Sequence, residues 1–591
     1  MNRKLRRASQ RGGKQSAATQ PEPNVDPKFI EALLTQGWML LGDRREEEAT
    51  QLAIRLIRLR ETEETKAFFV DCVKRWKFFP GADEIRDVIA RALREAWAKP
   101  HELFNIAKGI LKADPVIGAA IQRAVAEWPR RLSLRELLGP TGLAQIAADP
   151  LLPALLERST VFDLEIERLL TSLRAALLEV VTQDRGHQDK HILGLCCALG
   201  RQCFINEYVF DLTAAENDRA QRLRDRINHA LDVHAAVSPM EIGLLSSYMQ
   251  LDCLSAGELL KRSWPGSIGG LLEEQILVPA AERKLRTAIP QLTPIANDTS
   301  VKVREQYEEN PFPRWVKLSP NRPMPVDEWM PRQFPFSNFR KIGKGADLDV
   351  LIAGCGTGHH SIIFAQVLPE ARILAVDLSL SSLCYAKEKT RAMGIKNIEY
   401  AQADILELGN LDRQFDMISS SGVLHHTADL ERGWRTLLRL LQPDGCMQVG
   451  IYSERAHHNV IVAQRWLKER GFTTSVESIR RARQELIAAA ASNASLADVL
   501  TFTDFYSTSE FRDLFLPTQM HRYTIPKIQS FLNENNLEFL GFNIIGEIHD
   551  QFCSQFSRPA EVDLSLWDKF EDRHPNTFKR MYEFWVQRKR P

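Results

Sequence analysis

The chain has 591 residues, which is too long for one hydrophobic core and predicts at least two domains. Its 77 Lys and Arg residues balance 76 Asp and Glu residues to a formal net charge of +1, so no chain-wide basic field favours nucleic acid or a membrane as partner. Hydrophobic residues at 44% and charged residues at 26% exclude a fibrous or mostly disordered protein.

Residues 1–25 are polar and basic and predict a disordered tail, because they offer too little apolar surface to order themselves. They lack the apolar run of a secretory signal, and no later stretch approaches the roughly 18–20 apolar residues of a membrane span. The nine cysteines are scattered, without the paired spacing of a zinc site or a disulfide framework. We therefore expect a cytoplasmic protein with no membrane contact and no metal site.

Residues 26–295 predict an all-helical domain. Apolar residues recur at helical spacing, as in FDLEIERLLTSLRAALLEVV, and Pro- or Gly-bearing turns separate pairs of helices. No fixed period with a repeating signature is visible, so a degenerate helical-repeat array is one reading of this region. Residues 296–345 are rich in Pro and aromatic side chains and predict a linker or a lid before the next domain.

From residue 346 to residue 591, short apolar runs alternate with amphipathic segments, which predicts parallel β-strands joined by helices. The run VLIAGCGTG contains Gly354, Gly356 and Gly358 and leads into a helical pattern. A strand that turns through glycines into a helix lets a nucleotide-like cofactor approach the backbone amides. The next strand ends at Asp377, where an acid can accept hydrogen bonds from ribose hydroxyls.

The glycine spacing argues against a dinucleotide cofactor. In a G-x-G-x-x-G pattern counted from Gly354 the third glycine position falls on His359, and counted from Gly356 it falls on Ser361. Three further units follow: a strand ending at Asp404, the run FDMISSSGVLHHT, and the strand CMQVGIYS after LLQPDG. Five short strands with helices between them predict a doubly wound α/β sheet, with the cofactor at the carboxyl ends of the strands.

Together, VLIAGCGTG, AVDLS, AQADI, FDMISSSGVLHHT and LLQPDG resemble the successive motifs of class I, Rossmann-like S-adenosylmethionine-dependent methyltransferases. The resemblance implies S-adenosyl-L-methionine as cofactor, with the glycines along its methionine and ribose parts, Asp377 on the ribose and Asp404 facing the adenine. It places Ser420 and Ser421 beside the methyl donor. The cofactor-binding residues that the resemblance implies are Gly354, Cys355, Gly356, Thr357, Gly358, Asp377, Leu378, Asp404, Ile405, Ser420 and Ser421.

His425 and His426 are the candidate catalytic residues, because an imidazole can take a proton from a methyl acceptor near neutral pH. The alternative is a structural role, with one ring bonded to a backbone carbonyl. His359 and His360 are interpreted as packing or cofactor-edge residues, since no further ligand stands at the spacing that a metal site needs.

The segment REQYEENPFPRW resembles an element that precedes the first motif in a set of bacterial methyltransferases, where it would cover the cofactor or the acceptor. An aromatic-anchored linker is the alternative reading. The candidate substrate or lid residues are Tyr307, Asn310, Phe312, Arg314 and Trp315. A DNA-adenine methyltransferase is rejected, because its NPPY element follows the fourth strand, where this chain has Ser419-Ser420-Ser421-Gly422.

Residues of about 455–520 predict a helical insertion at the carboxyl edge of the sheet, where it would shape the acceptor pocket. The candidate pocket-wall residues are Tyr452, Tyr506 and His521. The last 22 residues predict a helical C-terminal tail, because Phe578, Tyr582 and Trp585 recur at i, i+4 and i+7. No antiparallel final strand is predicted.

The sequence therefore predicts an S-adenosylmethionine-dependent methyltransferase acting on an O, N or C acceptor, with an acceptor on a protein as one option. The layout resembles bacterial proteins with a helical, tetratricopeptide-like N-terminal region, and stacked helices would offer a surface to a protein partner. Two alternatives stay open: a small-molecule O- or C-methyltransferase, and a non-catalytic scaffold or regulator that binds the cofactor. No nucleic-acid partner is expected.

Overall fold

A computed structural model describes residues 26–75, 83–183, 189–343, 347–544 and 546–589. The tail predicted for residues 1–25 lies outside these ranges. Within them, no helix combines the length and the apolar character needed to cross a membrane.

The chain divides into two compact units. The first comprises Met1–Gly118 and Asp149–Arg158, and amphipathic helices build it: the Glu46–Leu59 helix, for example, buries Ala53, Ile54 and Ile57 on one face. The helices of this unit are Pro27–Gly42, Glu46–Leu59, Glu63–Lys74, Asp83–Glu95, Pro100–Ala113 and Leu151–Leu156, and the helix Pro115–Ala126 runs across its boundary.

The second unit, Ala119–Ala148 and Ser159–Pro591, joins helices to a sheet. Our expectation of one helical domain over 26–295 differs from this division, because residues 159–295 belong to the unit that holds the sheet. Its helices before the sheet are Leu134–Leu138, Gly142–Ala148, Leu164–Gln183, Lys190–Ile205, Ala214–Asp232, Pro239–Leu245, Ala256–Lys261, Gly266–Leu272 and Val278–Lys284.

The sheet has seven strands in the order β3-β2-β1-β4-β5-β7-β6. Strands β1 to β5 pair in parallel, while β7 pairs antiparallel with both β5 and β6. The strands are β1 (Asp349–Ala353), β2 (Arg372–Asp377), β3 (Ile398–Gln402), β4 (Phe415–Ser421), β5 (Leu441–Ile451), β6 (Leu537–Phe542) and β7 (Tyr582–Arg588). This is the predicted doubly wound α/β architecture, and it brings the carboxyl ends of β1 to β5 to one edge.

The prediction of a helical C-terminal tail is wrong. Residues Tyr582–Arg588 are β7, and their side chains alternate between the two faces of the sheet. Tyr582 and Phe584 belong to the core on one face, whereas Trp585 belongs to the core on the other. The three-residue step from Tyr582 to Trp585 resembles a helical stripe, but both aromatic rings are buried because a sheet core covers each face.

Helices cover both faces of the sheet. The two cores separate along β1, where Leu351 and Ala353 face one side and Val350 and Ile352 face the other. The helices associated with the sheet are Asp298–Glu309, Val326–Gln333, His359–Val367, Leu380–Ala392, Leu430–Leu440, Ile525–Glu534, Glu547–Phe556 and Leu564–Arg573.

Between β5 and the Ile525–Glu534 helix lie four helices, which we call the insertion helices: His458–Glu469, Val476–Ala490, Ala494–Val499 and Thr508–Phe515. A buried ion pair fixes them to the Leu164–Gln183 helix. Arg483 donates to both carboxylate oxygens of Glu167, at 3.0 and 2.7 Å, and its Nε donates to the Phe505 carbonyl at 2.7 Å. Both side chains are nearly inaccessible to solvent, so neither charge has water as an alternative partner.

We expect Arg483→Ala to lower the free energy of unfolding of this unit by about 3–5 kcal/mol, because it leaves the Glu167 carboxylate buried without its partner. Denaturant unfolding followed by tryptophan fluorescence measures the change. Arg481→Ala is the matched control, since Arg481 lies on the same helix and is exposed. Equal stabilities of the two variants would contradict the assignment.

Candidate functional site

Three glycines allow the sharp turns of the loop after β1, residues 354–358, which we call the glycine loop. Gly354, Gly356 and Gly358 have φ angles of 81°, 52° and 82°, a region that side-chain-bearing residues rarely adopt. The backbone N–H groups of Gly354 and Cys355 both donate to the Val376 carbonyl, which ties the loop to the end of β2. The His359–Val367 helix begins directly after Gly358, so its amino end points at the same edge of the sheet.

Asp377, at the end of β2, hydrogen-bonds to the backbone of this loop. One oxygen of its carboxylate accepts the Gly356 N–H at 2.8 Å, and the other accepts the Ser379 N–H at 2.8 Å. Burial and, less strongly, the nearby charge of Glu308 raise the pKa of Asp377, while the hydrogen bonds from Ser379 and Gly356 lower it, and the net result is a pKa of about 6. The carboxylate therefore carries its charge at neutral pH, beside a loop that a cofactor can approach.

The buried side chain of Asp404 has one carboxylate oxygen that accepts no hydrogen bond from the described residues. The residue is 2% exposed, and one of its carboxylate oxygens accepts the Leu406 N–H at 2.9 Å. The other oxygen, Oδ2, has no hydrogen-bond partner among the described residues. A buried carboxylate oxygen without a partner costs free energy, and a ligand that donates a hydrogen bond there would recover it. An adenine amino group is such a donor, so the residues fit the cofactor that the sequence predicts.

Residues 290–293, which precede the sheet in the chain, pair with the end of β3 next to Asp404. Gln402 exchanges backbone hydrogen bonds with Pro290 and Leu292, both at 2.8 Å, and the Thr293 hydroxyl accepts the Asp404 N–H at 2.8 Å. Sequence reasoning missed Thr293, because nothing in its local pattern marks a strand-like pairing with β3.

The segment from Phe312 to Trp315 lies on the glycine loop. The Phe312 carbonyl accepts the Thr357 N–H at 3.1 Å, and a Cβ atom built on Gly356 would lie 2.5 Å from that same carbonyl oxygen. The indole N–H of Trp315 donates to the Thr357 carbonyl at 3.2 Å. Only a glycine at position 356 lets this segment approach so closely.

The five residues predicted as a lid differ in their surroundings. Tyr307 donates a hydrogen bond to Asp513 of the insertion helices, and its ring lies 6.0 Å from the Phe312 ring. Arg314 instead places its guanidinium 4.0 Å from the centre of the Phe204 ring. Asn310 ends the Asp298–Glu309 helix, with its N–H donating to a carbonyl one turn earlier.

The two serines at the end of β4 point in different directions, as neighbours on a strand must. The Ser421 hydroxyl donates to Glu583 of β7 at 3.2 Å. The Ser420 hydroxyl is buried and has no partner in the part of the chain that the structure describes. Of the remaining predicted cofactor residues, Cys355 and Ile405 are buried, while the Leu378 carbonyl accepts from the Gln402 amide at 2.8 Å.

Four aromatic rings contact one another in series across the edge of the sheet, edge-on between His425 and His426 and tilted between the others, and we call this series the ring stack. His426, His425, Tyr452 and His457 follow one another with centroid separations of 4.3, 4.1 and 4.4 Å. His425 is fully buried, and neither of its ring nitrogens has a partner among the described residues. Burial, and then the neighbouring His426 and His457, lower the pKa of His425 well below its usual value. The His425 ring is therefore neutral at pH 7.

His426 differs from its neighbour. Its Nδ1 lies 2.9 Å from the Gln519 carbonyl, and its Nε2 lies 3.5 Å from the Asp513 carboxylate. Burial lowers the pKa of His426, but the charge of Asp513 and the hydrogen bonds that the ring donates to Asp513 and Gln519 outweigh burial, so the pKa is raised overall. Since a carbonyl and a carboxylate can only accept, both ring nitrogens have a reason to carry a proton.

The insertion contributes residues that sequence reasoning missed. Asp513 accepts a hydrogen bond from Tyr307 and lies far along the chain from the recognised motifs. His457 completes the ring stack and follows the CMQVGIYS strand by four residues, but it belongs to none of the motifs. Of the predicted pocket-wall residues, Tyr452 and His521 lie at this place: the His521 N–H donates to the His425 carbonyl at 2.8 Å. Tyr506 does not, because its hydroxyl donates to Leu500 within the insertion.

Comparison with known proteins agrees with this geometry. The sequence model of a family described as "Methyltransferase domain" matches residues 344–494. The chain carries a class I, Rossmann-like methyltransferase domain that uses S-adenosylmethionine, and an all-helical region precedes that domain. The predicted family, fold and cofactor are thereby confirmed.

The relatives match the domain and not the whole chain. An uncharacterized protein of Synechococcus sp. is 32% identical over 25% of this chain and 36% of its own length. The ubiquinone/menaquinone biosynthesis C-methyltransferase UbiE of Klebsiella pneumoniae is 35% identical over 18% of this chain and 43% of its own length. The chain spans only 36–52% of the first three curated relatives.

A solved structure shows a partial likeness. PKMT2 from Rickettsia typhi in complex with AdoHcy is 18% identical, with a TM-score of 0.36, over 44% of this chain and 52% of that one.

We expect the affinity for S-adenosylhomocysteine to weaken below about pH 6. If ribose hydroxyls donate to the Asp377 carboxylate, as the resemblance implies, the protonated acid loses one acceptor, and the affinity should fall by about tenfold per pH unit below the pKa of about 6. Calorimetric titration from acid to neutral pH measures it. Asp377→Asn should bind more weakly at every pH without this dependence, and a parallel curve for the variant would contradict the role.

Proposed function

We propose that the protein transfers a methyl group from S-adenosyl-L-methionine to an O, N or C acceptor. The observation that carries the proposal is the open Oδ2 acceptor of Asp404, at the edge where the glycine loop and Asp377 also end. The family match over residues 344–494 supports the same reading.

The bound cofactor would supply an electrophilic methyl carbon attached to a sulfonium. The glycine loop would bind the methionine and ribose parts through its backbone, Asp377 the ribose hydroxyls, and Asp404 the adenine amino group. Phe312 and Trp315 would cover the loop, because their segment already bonds to Thr357. Holding donor and acceptor in attack geometry contributes on the order of 7–11 kcal/mol to such a displacement.

On the acceptor side, we assign different roles to the two histidines. His425 would contact the acceptor, because its buried ring nitrogens have no partner in the described part of the chain and a neutral imidazole can accept a hydrogen bond from an O–H or N–H group. His426 would act as a positioning residue, held by Gln519 and Asp513. His425 therefore takes the predicted catalytic role, and His426 takes the structural role that the sequence left open as the alternative.

The burial of this side favours a small acceptor. His425 is fully buried and His426 is 8% exposed. The Tyr307–Asp513 hydrogen bond joins residues 307–315, which we call the lid segment, to the insertion helices. A small molecule, or a single extended side chain, would fit such an enclosed place better than a folded protein surface. The small-molecule O- or C-methyltransferase is therefore the second candidate function.

The test combines cofactor binding with methyl transfer. We expect the wild type to bind S-adenosylhomocysteine in a calorimetric titration, and Asp404→Asn to bind about 10–150-fold more weakly, the value of a lost hydrogen bond to a charged group. Glu407→Gln is the control, because Glu407 lies on the same helical turn but pairs with Arg432 on the surface. No binding by the wild type would contradict the proposal.

Labelled methyl donor, incubated with separated small-molecule and protein fractions, then distinguishes the candidates. Transfer into the small-molecule fraction supports the enclosed acceptor site, and transfer into protein supports a side-chain acceptor. Cofactor binding without transfer to either fraction would favour the scaffold. With the acceptor in hand, we expect His425→Gln to lower kcat while the affinity for S-adenosylhomocysteine stays unchanged.

A further inference from the structure

Three side chains of different chemistry meet between β6 and β7, away from the ring stack and the glycine loop. His549 and Cys553 lie one helical turn apart on the Glu547–Phe556 helix, and Glu561 lies on the short helix Arg558–Val562 that follows. One ligand atom of each residue lies within 4.8 Å of the other two. A helix places residues i and i+4 on one face, so His549 and Cys553 necessarily point the same way.

The triangle that these atoms form has the edges of a tetrahedral metal site. His549 Nε2 lies 3.0 Å from Glu561 Oε1 and 3.6 Å from Cys553 Sγ, and Cys553 Sγ lies 3.3 Å from Glu561 Oε1. Zinc bonds of about 2.3 Å to sulfur and about 2.0–2.1 Å to nitrogen or oxygen give edges of roughly 3.3–3.6 Å at the tetrahedral angle. The side chains would need to move by only a few tenths of an ångström.

We propose that His549, Cys553 and Glu561 bind a divalent zinc-type cation, with a fourth coordination position open. An imidazole, a thiolate and a carboxylate form the mixed ligand set that zinc accepts, and three protein ligands leave room for a water or an exogenous ligand. His549 and Glu561 also line a pocket that the rings of Phe334, Phe542 and Trp567 help to form. Two of the three proposed ligands therefore border a recess that both polar and apolar residues line.

One neighbouring charge favours cation binding at the three ligands and another opposes it. Asp550 lies 3.8 Å from His549 Nδ1, on the ring edge opposite the metal-binding nitrogen, where a carboxylate orients the ring. Arg558 lies 3.6 Å from Glu561 Oε1 and competes with a metal for that oxygen, but its side chain is 62% exposed and can turn into solvent. The sequence-based expectation of no metal site rested on the missing paired spacing among all nine cysteines, and it passed over this His-x-x-x-Cys pair because the third ligand, Glu561, lies on the next helix.

Titration of the metal-free full chain with Co²⁺ tests the proposal. We expect one equivalent to bind, with the charge-transfer absorption of a cobalt–thiolate bond, and Zn²⁺ to displace it. Cys553→Ser should abolish that absorption, and His549→Gln and Glu561→Gln should weaken binding by at least tenfold. Cys253→Ser is the matched control, because Cys253 is an exposed thiol elsewhere on the chain.

S-adenosylhomocysteine binding by each variant checks that it remains folded, since none of the three residues belongs to the cofactor site. The absence of a thiolate band in the wild type would overturn the proposal. An unchanged band in Cys553→Ser, or its loss in Cys253→Ser, would overturn it as well.

Discussion

The buried carboxylate of Asp513 is the point on which the arrangement of the site depends. It lies on the last insertion helix, accepts a hydrogen bond from Tyr307, and lies 3.5 Å from His426. A carboxylate taken out of water costs several kcal/mol unless other groups satisfy it. These contacts therefore fix three separate segments to one another: the lid segment, the loop after β4, and the insertion.

From Asp513 the contacts continue through Tyr307 and Phe312 to the glycine loop. The ring of Tyr307 lies against Phe312, and the Phe312 carbonyl accepts from Thr357 in the glycine loop. On the other side, the loop after β4 places Val423 against Gly354, where a Cβ atom would lie 2.3 Å from the valine side chain. The proposed donor side and the proposed acceptor side thus share a continuous set of packed residues, so a substitution on one side should alter the packing on the other.

The sequence predicts the parts of the site that depend on local backbone geometry. Glycines with positive φ and acids at strand ends occur at fixed places in a βα unit, so the positive φ of Gly356 and the strand-end positions of Asp377 and Asp404 follow from the pattern alone. Contacts between distant segments leave no such pattern. Tyr307 and Asp513 are separated by 206 positions, and no spacing rule connects them.

The wrong prediction of a helical C-terminal tail has a physical cause. Phe578, Tyr582 and Trp585 recur at helical spacing, but a strand buried on both faces also places aromatic residues three positions apart. The division within the helical region leaves no mark in the sequence, because Gly118 lies inside the Pro115–Ala126 helix and the helical period continues through it.

Hydrogen–deuterium exchange of the full chain, with and without S-adenosylhomocysteine, tests the central claim most directly. If the cofactor binds at the carboxyl edge of β1 to β3 beneath the Phe312 segment, protection should rise together in four segments: 305–315, 350–358, 374–381 and 400–406. Protection confined to other parts of the chain, or unchanged exchange in these four segments at saturating ligand, would contradict the account.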